Sequence, residues 1–468
     1  MPASAFEPAF ATAEETAAAV RAKTISAREL VRLTFDRIDR RNPQLNAIVW
    51  QDRDRAMAHA LEADDALATN RIHGALHGVP VTIKEAFAYR GSPSSWGQPA
   101  LADVKSPRTA VAVERLESAG AIVVGKTNVP VMLGDWQTFN PVHGTTNNPW
   151  DLTRTPGGST GGGSAAVAAG LGSLTIGSDL AGSIRIPAHF CGVFGHKPSL
   201  ELVSMAGFQP GPWDGSPGYP MDVAVAGPLA RSARDLELAL RALAAPDRDA
   251  AKAWTWRMPA PRHTRLEDFR VGYVFDDRIA PLSSEIGALY EEVLAALSRR
   301  GAKLTRGWPS GLDLQAHLPT FQFLVLALVT ADAEGEREPT SHARWLHESR
   351  TRLALRARWQ TYFDDHDVFL LPTTFTTAFP HDSSRPMENR VVDTPEGKRP
   401  YLSIASWTSV ASVAGLPATS APVGLTRAGL PAGIQVMAPM WEDATAIEFA
   451  ALLSDAIGGF IPPPAFKD

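Results

Sequence analysis

The sequence predicts an α/β protein in which one α/β/α layered domain surrounds a large mixed β-sheet. Helical patterns alternate along the chain with short β-rich apolar runs, for example at residues 120–127, 269–274 and 367–373. This alternation is typical of a sheet covered by helices. The chain has 468 residues, of which 44% are hydrophobic and 20% are charged. These are ordinary globular values, and a chain of this length can bury a large core.

We expect a single domain over residues 1–468 with four consecutive segments. Residues 1–72 should be mainly helical, because Ser26 to Glu29 form a capping-box pattern before a helical repeat. Asn42-Pro43 should end that helix, and an alanine-rich helix should follow over residues 52–69. The other segments are a central core (73–245), an α/β and helical insertion (246–365) with a helical pattern over 312–364, and C-terminal strands with a helix (366–468).

Charge and composition argue against several classes of protein. The formal net charge is -5, and Lys and Arg are dispersed among acidic residues, so we expect no nucleic-acid partner. The single cysteine, Cys191, excludes an internal disulfide framework and a cysteine-based zinc site. The first residues lack a signal-peptide pattern, and the longest apolar runs, such as 323–329, are too short for a membrane span. We expect a cytoplasmic monomer or homodimer without metal, cofactor or membrane contact.

A lysine stands at the end of an apolar strand pattern. Residues 76–85 are β-rich and apolar, yet Lys84 follows where the strand should still be buried. Its side chain could extend to solvent at the strand end. Alternatively, it could be a neutral, desolvated lysine that serves as a base. This segment alone leaves both interpretations open.

Residues Gly120 to Thr127 match the G-x-x-x-x-G-K-[ST] pattern of phosphate-binding loops. The residues between the two glycines are Ala-Ile-Val-Val, which is a strand core, whereas a phosphate-binding loop must be open. Pro130 follows closely and blocks the helix that such a loop requires. We therefore reject nucleotide binding at this site.

The stretch from Thr155 to Pro198 is dense in glycine, serine and small apolar residues, and it contains Ser159 and Ser183. Backbone without side chains can come close to a bound group there. Gly157 to Gly161 match the G-x-S-x-G nucleophile elbow, but a turn region rather than a strand precedes them, and no histidine stands in a recognisable triad context. We therefore do not expect a Ser-His-Asp triad.

This stretch resembles the signature of the amidase signature family of serine hydrolases. The family pattern is a G-G-S-S/T-G-G turn, an alanine-rich helix, G-S/T-D-x-G-G-S-I-R-x-P-A and C-G-x-x-G-x-K-P, and nearly every element is present. Ser159 and Ser183 lie 24 positions apart, as the two family serines do. Other segments resemble the family's lysine strand, its G-A-x-x-x-G-K-T-N segment, its G-P-x-A-R turn and its C-terminal strands: 78–84, 120–128, 227–231, 367–373 and 414–435.

The resemblance implies a catalytic triad of a serine, a cis-peptide serine and a lysine. Ser183 would be the nucleophile, and Ser159, after a cis bond from Gly158, would carry a proton to Lys84. Lys84 must then be neutral, and burial at an apolar strand end can lower the pKa of a lysine enough. Two positions depart from the family pattern, because Ala181 replaces a glycine and Val131 replaces an acidic residue.

The resemblance also implies an oxyanion hole and a pocket. The oxyanion would be stabilised by the backbone N–H groups of Leu180, Ala181, Gly182 and Ser183. Asp179 and Arg185 are expected to brace this loop as an ion pair rather than touch substrate. Five residues lie on segments that border the pocket in relatives and suggest a cleft suited to aromatic groups: Trp136, Gln137, Phe208, Trp213 and Trp407. Any one of these aromatic residues is more often a core or loop residue than a pocket residue.

We therefore expect a hydrolase that cleaves the C–N bond of a small carboxylic amide or carbamate with an aryl or hydrophobic substituent, through an acyl-enzyme on Ser183. The chain is similar to the urethanase branch of the family, which acts on aryl carbamates. The alternative is an amidotransferase-type component of an aminoacyl-tRNA complex, because such proteins share the signature. The sequence shows no cluster of metal-ligating residues that would favour a metal-dependent amidase.

Overall fold

The computed structural model of the protein describes residues 6–216, 221–247, 249–329 and 341–467. The strands in these residues are β1 (Ile48–Trp50), β2 (Pro80–Lys84), β3 (Ile122–Thr127), β4 (Phe139–Asn140), β5 (Gly144–Thr145), β6 (Leu174–Asp179), β7 (Phe194–Lys197), β8 (Val225–Ala230), β9 (Arg270–Tyr273), β10 (Lys303–Arg306), β11 (Val368–Pro372), β12 (Val391–Thr394), β13 (Gly397–Pro400), β14 (Ala418–Leu425) and β15 (Pro431–Met437).

The α-helices are α1 (Ala13–Arg21), α2 (Ala27–Leu45), α3 (Arg53–Ala68), α4 (Val111–Ser118), α5 (Gly161–Ala168), α6 (Arg185–Cys191), α7 (Ala233–Leu243), α8 (Ser284–Arg299), α9 (Leu314–Val329), α10 (His342–Asp365), α11 (Ser409–Ala414) and α12 (Asp443–Ile457). Within the described residues, none of these helices combines the length and the apolar character needed to cross a bilayer.

One 11-stranded sheet occupies the centre, in the order β1-β3-β2-β6-β8-β7-β14-β15-β11-β9-β10. The pairs β3–β2, β2–β6, β11–β9 and β9–β10 are parallel, and the other pairs are antiparallel. Its strands come from residues 48 to 437, so the sheet joins the predicted central core to the insertion and the C-terminal segment. The predicted large mixed sheet is confirmed.

Helices cover both faces of the sheet. Consecutive residues of β3 show this, because Val123 belongs to one apolar cluster while Ile122 and Val124 belong to another, and successive side chains of a strand point to opposite faces. Helices α4, α7 and α12 contribute to the first cluster, and α2, α3 and α5 contribute to the second. The α/β/α layering is therefore confirmed.

Helix α2 continues past the point where the sequence predicts its end. It contains Pro43 and ends at Leu45, with Asn46 as a left-handed C-cap. The Asn42 side chain accepts hydrogen bonds from the N–H groups of Ala47 and Ile48. These bonds stabilise the turn after the helix, so the chain leaves the helix only after Pro43. The prediction that Asn42-Pro43 ends the helix is therefore wrong.

Three further segments can be compared with their sequence predictions. Within residues 120–127, β3 extends over Ile122–Thr127, and only a short 3₁₀ turn at Val131–Leu133 follows it. The rejection of a phosphate loop is therefore confirmed. The helical pattern over 312–364 corresponds to α9 and α10, while its part at 330–340 lies outside the described residues. Within the predicted C-terminal segment (366–468), β12 and β13 also form a hairpin.

The parallel pairing of β2 with β6 places two polar strand ends together. Ile83 pairs with Ile176, so Lys84 and the residues after Ile176 lie at the same edge of the sheet. Lys84 is the last residue of β2, and Asp179 is the last residue of β6. Carboxyl ends of parallel strands are where α/β proteins commonly bind ligands. This edge is therefore the first candidate for a functional site.

We expect Leu174→Ala to destabilise the protein much more than Leu152→Ala. Leu174 is fully buried in β6, whereas the side chain of Leu152 is 40% exposed. Deleting a buried leucine side chain typically costs about 2–5 kcal/mol of unfolding free energy, and the same change at an exposed position typically costs less than about 0.5 kcal/mol. Urea unfolding of both variants measures the difference, and equal losses would contradict the packing described here.

Candidate active site

The amino group of Lys84 is completely buried among hydroxyl groups. Its Nζ lies 2.7 Å from Ser159 Oγ, 2.9 Å from Ser178 Oγ and 3.1 Å from Thr160 Oγ1. None of these partners is a carboxylate that could neutralise a charge on Lys84. Of the two interpretations of this lysine, extension to solvent is therefore wrong.

Burial lowers the pKa of Lys84 to about 7, because desolvation penalises its charged form, and the charge of Asp179 only partly opposes this effect. The neutral amine is thus available near neutral pH. A neutral amine has two N–H groups and one lone pair, so one of its three oxygen neighbours must donate to it. Thr160 Oγ1 already donates to the Ser178 carbonyl oxygen. The proton can therefore come from Ser159 or Ser178, and Ser159 is closer.

The peptide bond between Gly158 and Ser159 is cis, which agrees with what the family resemblance implies for this position. Gly158 is packed against the loop at 135–137, where a Cβ atom would lie 2.6 Å from the Gln137 carbonyl oxygen. Only glycine fits at this close approach. Directly after the cis bond, the Thr160 N–H donates to the Ser183 carbonyl oxygen at 3.2 Å. The two serine segments therefore lie side by side.

Ser183 belongs to the turn between β6 and α6, and we call residues Leu180–Ser183 the 180–183 loop. Leu180 and Ala181 are partly exposed, while Ser183 is 7% exposed. Within the described part of the chain, the Ser183 hydroxyl makes no hydrogen bond to another protein group. A hydroxyl near solvent without a competing partner can approach a substrate carbonyl.

The Asp179 carboxylate fixes this loop through hydrogen bonds to its backbone. The carboxylate accepts hydrogen bonds from the N–H groups of Gly182 and Ile184, at 2.9 and 3.1 Å. The Gly182 N–H is therefore engaged, which differs from its predicted place in the oxyanion hole. The reason is that the buried Asp179 carboxylate needs hydrogen-bond donors, and the Gly182 N–H lies within its reach. Leu180, Ala181 and Ser183 stay predicted oxyanion donors.

The predicted ion pair between Asp179 and Arg185 is present. Arg185 Nε and Nη2 donate to the two carboxylate oxygens at 2.9 and 2.8 Å, and both side chains are fully buried. Burial alone would raise the pKa of Asp179, but the Arg185 charge and hydrogen bonds lower it to about 2. Arg185 also donates to the Thr408 carbonyl oxygen, to Ser412 Oγ and to Gln435 Oε1.

Of the predicted pocket residues, Trp136 is next to the 180–183 loop, since its Nε1–H donates to the Ala181 carbonyl oxygen at 2.9 Å. Gln137 is buried, and its side chain exchanges hydrogen bonds with the backbone of Asp382. The structure thus brings the Trp136 side chain to the site and uses the Gln137 side chain to hold a neighbouring segment.

The three other predicted pocket residues pack in the interior of the protein. Phe208 packs on Phe87 and Trp96, and Trp213 is 5% exposed. Trp407 is fully buried and stacks on Trp308. Large rings gain most from burial, and buried indole N–H groups usually find an acceptor, as the Trp407 N–H does at the Ala280 carbonyl. The structure therefore places Phe208, Trp213 and Trp407 among packed side chains, and their place at the pocket stays a prediction.

Sequence reasoning missed the Thr160 and Ser178 contacts with Lys84. A signal existed for each, because Thr160 directly follows the bridging serine, and Ser178 stands one residue before the end of a strand parallel to the lysine strand. The described residues bring together no group of three or more His, Cys, Asp or Glu side chains that could hold a metal ion.

A model of the Amidase family matches residues 29–334 and 319–447. The chain is 32% identical to an indoleacetamide hydrolase of Bradyrhizobium diazoefficiens, covering 96% of this chain and 86% of the relative. It is also 32% identical to an acylamidase of Rhodococcus erythropolis (94% of each chain) and 30% identical to a glutamyl-tRNA(Gln) amidotransferase subunit of Anaeromyxobacter sp. strain K (96% and 97%). A solved bacterial aryl acylamidase superposes with a TM-score of 0.80 at 25% identity, covering 96% of both chains.

The fold, the buried lysine and the relatives define the class of this protein. It is an enzyme that cleaves amide C–N bonds. The chain belongs to the Amidase family, the amidase signature enzymes.

We expect Asp179→Asn to destabilise the protein by about 3–5 kcal/mol, because it leaves the Arg185 charge buried and uncompensated. Asp151→Asn is the matched control, since Asp151 pairs with Arg154 at 3.0 Å but is partly exposed, and such surface pairs typically contribute about 0–1 kcal/mol. Urea unfolding compares the two variants. A loss at Asp179 no larger than at Asp151 would refute the bracing role of the buried pair.

Proposed function

We propose that this protein hydrolyses small carboxylic amides or carbamates with an aryl or hydrophobic substituent, through an acyl-enzyme on Ser183. One observation carries the proposal: a fully buried lysine with a pKa of about 7 contacts Ser159 at 2.7 Å, in a segment hydrogen-bonded to the backbone of Ser183. Among the named relatives are an indoleacetamide hydrolase and acylamidases, which supports a substrate with an apolar group.

The mechanism begins with attack of Ser183 Oγ on the carbonyl carbon. Its proton passes to Ser159 Oγ while the Ser159 proton passes to neutral Lys84. The negative charge develops on the carbonyl oxygen near the N–H groups of Leu180, Ala181 and Ser183. Lys84 then returns a proton through Ser159 to the departing nitrogen, so the C–N bond breaks and the amine leaves. Water, deprotonated by the same pair, hydrolyses the acyl-enzyme and regenerates Ser183.

A carbamate would react by the same steps up to loss of the amine. Attack on its carbonyl and loss of the amine would leave an alkoxycarbonyl-enzyme, and water would convert this into an alcohol and carbon dioxide. The partly exposed Trp136 beside Leu180 and Ala181 supplies an aromatic surface next to the loop, which favours a substrate with an aryl or other apolar group. The measurable difference between the two substrate classes is release of carbon dioxide.

We expect the purified single chain to release the same arylamine from a panel of matched aryl amides and aryl carbamates. Ser183→Ala should lower kcat/KM by about 10⁴-fold or more, since it removes the nucleophile. Ser173→Ala is the matched control, because Ser173 is also buried but bonds the Pro80 carbonyl, at the opposite end of β2 from Lys84. Arylamine release and carbon dioxide release are the two readouts.

Turnover by Ser183→Ala at the wild-type rate would overturn the proposed nucleophile. Turnover of amides without carbamates would restrict the proposal to amides. A wild-type chain that gains no mass from a serine-directed sulfonyl fluoride and turns over no substrate of the panel would point to a binding protein.

The alternative of an amidotransferase component has its own support, because one relative at 30% identity is a glutamyl-tRNA(Gln) amidotransferase subunit. Such a protein would need partner subunits and would work as part of an aminoacyl-tRNA complex. Hydrolysis of aryl amides by the isolated chain would count against it. Hydrolysis of glutamine without hydrolysis of any substrate of the panel would favour it.

We expect kcat/KM for amide hydrolysis to fall below pH 7 by about tenfold per pH unit. The reason is that the pKa of Lys84, lowered to about 7 by burial, sets the pH below which its amine binds a proton and cannot accept another. A pH–rate profile from pH 5 to 9 measures this effect, with far-UV circular dichroism at each pH to verify folding. A flat profile for the folded protein would contradict Lys84 as the base.

A further inference from the structure

The Trp136 indole holds the 180–183 loop from a distant segment. Its Nε1–H donates to the Ala181 carbonyl oxygen at 2.9 Å. Trp136 is partly exposed, and Leu180 and Ala181, also partly exposed, pack on the same apolar cluster. The indole therefore lies beside the solvent-accessible part of the loop and bonds its backbone.

The peptide unit between Ala181 and Gly182 is held on both sides. Its carbonyl oxygen accepts from Trp136, and its N–H donates to Asp179 Oδ1 at 2.9 Å. Because the C=O and N–H of a trans peptide point in opposite directions, these two bonds fix the orientation of the peptide plane. The neighbouring N–H groups of Ala181 and Ser183 belong to the adjoining peptides, so their directions depend on this plane.

Trp136 is itself held through its neighbours. Asp135 bonds the Arg390 guanidinium at 2.6 Å and also accepts from the Tyr401 hydroxyl. Gln137 exchanges two hydrogen bonds with the backbone of Asp382, at 2.8 and 2.9 Å. The Tyr401 ring packs against the Trp136 ring with 5.7 Å between centroids. Residues Asp382–Tyr401, which we call the 382–401 segment, thus anchor both flanks of Trp136.

We propose that Trp136 is a positioning residue for the oxyanion donors: its indole N–H sets the orientation of the Ala181–Gly182 peptide, and the 382–401 segment holds the indole in place. This inference rests on the proposed function, because it requires negative charge to develop beside the 180–183 loop. The bond is made to the enzyme's own backbone, not to substrate. Loss of this bond should therefore reduce stabilisation of the transition state more than binding of the substrate. It should lower kcat rather than raise KM.

The central experiment replaces Trp136 by Phe, which keeps an aromatic ring and removes the N–H donor. We expect kcat for a substrate of the aryl amide panel to fall by about tenfold or more, with KM changed by less than about threefold. Trp150→Phe is the matched control, because Trp150 is also partly exposed and its Nε1–H donates at 2.9 Å to the carbonyl of Cys191, outside the loop. The control should keep the wild-type kcat.

The possible results separate three roles for Trp136. A fall in kcat at constant KM, absent from Trp150→Phe, supports positioning. A rise in KM at constant kcat would overturn the proposal, because the indole N–H would then act on substrate binding alone. Equal kcat in wild type, Trp136→Phe and Trp150→Phe would overturn it and leave a packing role only.

Tyr401→Phe provides a second test in case Trp136→Phe does not fold. This variant keeps the ring against Trp136 but loses the hydroxyl bond to Asp135. We expect a smaller fall in kcat at constant KM, and in the double variant the two effects should not be additive, because both act through the same indole. Unchanged kcat in Tyr401→Phe would refute the anchoring by the 382–401 segment. Failure of the proposed function would appear separately, as absent wild-type turnover or as an active Ser183→Ala variant.

Discussion

The buried ion pair between Asp179 and Arg185 is the interaction on which the site depends. Asp179 ends β6, accepts the Gly182 and Ile184 N–H groups and so fixes the turn that carries Ser183. Arg185 bonds Asp179 with two nitrogens and reaches Thr408, Ser412 and Gln435 in the C-terminal part of the chain. A charge left unpaired at this depth would be costly, so the pair ties the turn to the far half of the sheet.

Burial alone does not distinguish Lys84 from other lysines. Lys126 and Lys197 are also fully buried, and desolvation lowers their pKa to about 8 and about 7. Their partners differ, because Lys126 donates to Ser92, Ser94 and the Pro93 carbonyl, and Lys197 donates to the Pro198 carbonyl. Lys84 contacts the serine that follows the cis bond. A lowered pKa thus becomes informative only together with the neighbouring hydroxyl.

The 382–401 segment shows how a peripheral element can bear on the site. Its hairpin of β12 and β13 lies outside the 11-stranded sheet. Three residues before and after this hairpin nevertheless bond Asp135 and Gln137 on either side of Trp136: Asp382, Arg390 and Tyr401. The same 135–137 loop packs on Gly158, where any side chain would collide with its backbone. The 135–137 loop therefore connects the 382–401 segment both to the serine after the cis bond and to the 180–183 loop.

The sequence by itself determined the α/β/α class, the two serine segments and the lysine strand, because strand alternation, dense glycine and a polar strand end are local patterns. It also indicated the Asp179–Arg185 pair, whose partners are six positions apart. Only the tertiary structure decided that Thr160 and Ser178 share Lys84, that the Gly182 N–H turns to Asp179, that Phe208, Trp213 and Trp407 are interior, and that Trp136 holds Ala181. Nearly all of these contacts join residues far apart in the chain or depend on a backbone angle, and no local pattern encodes which distant groups will meet when the layers pack.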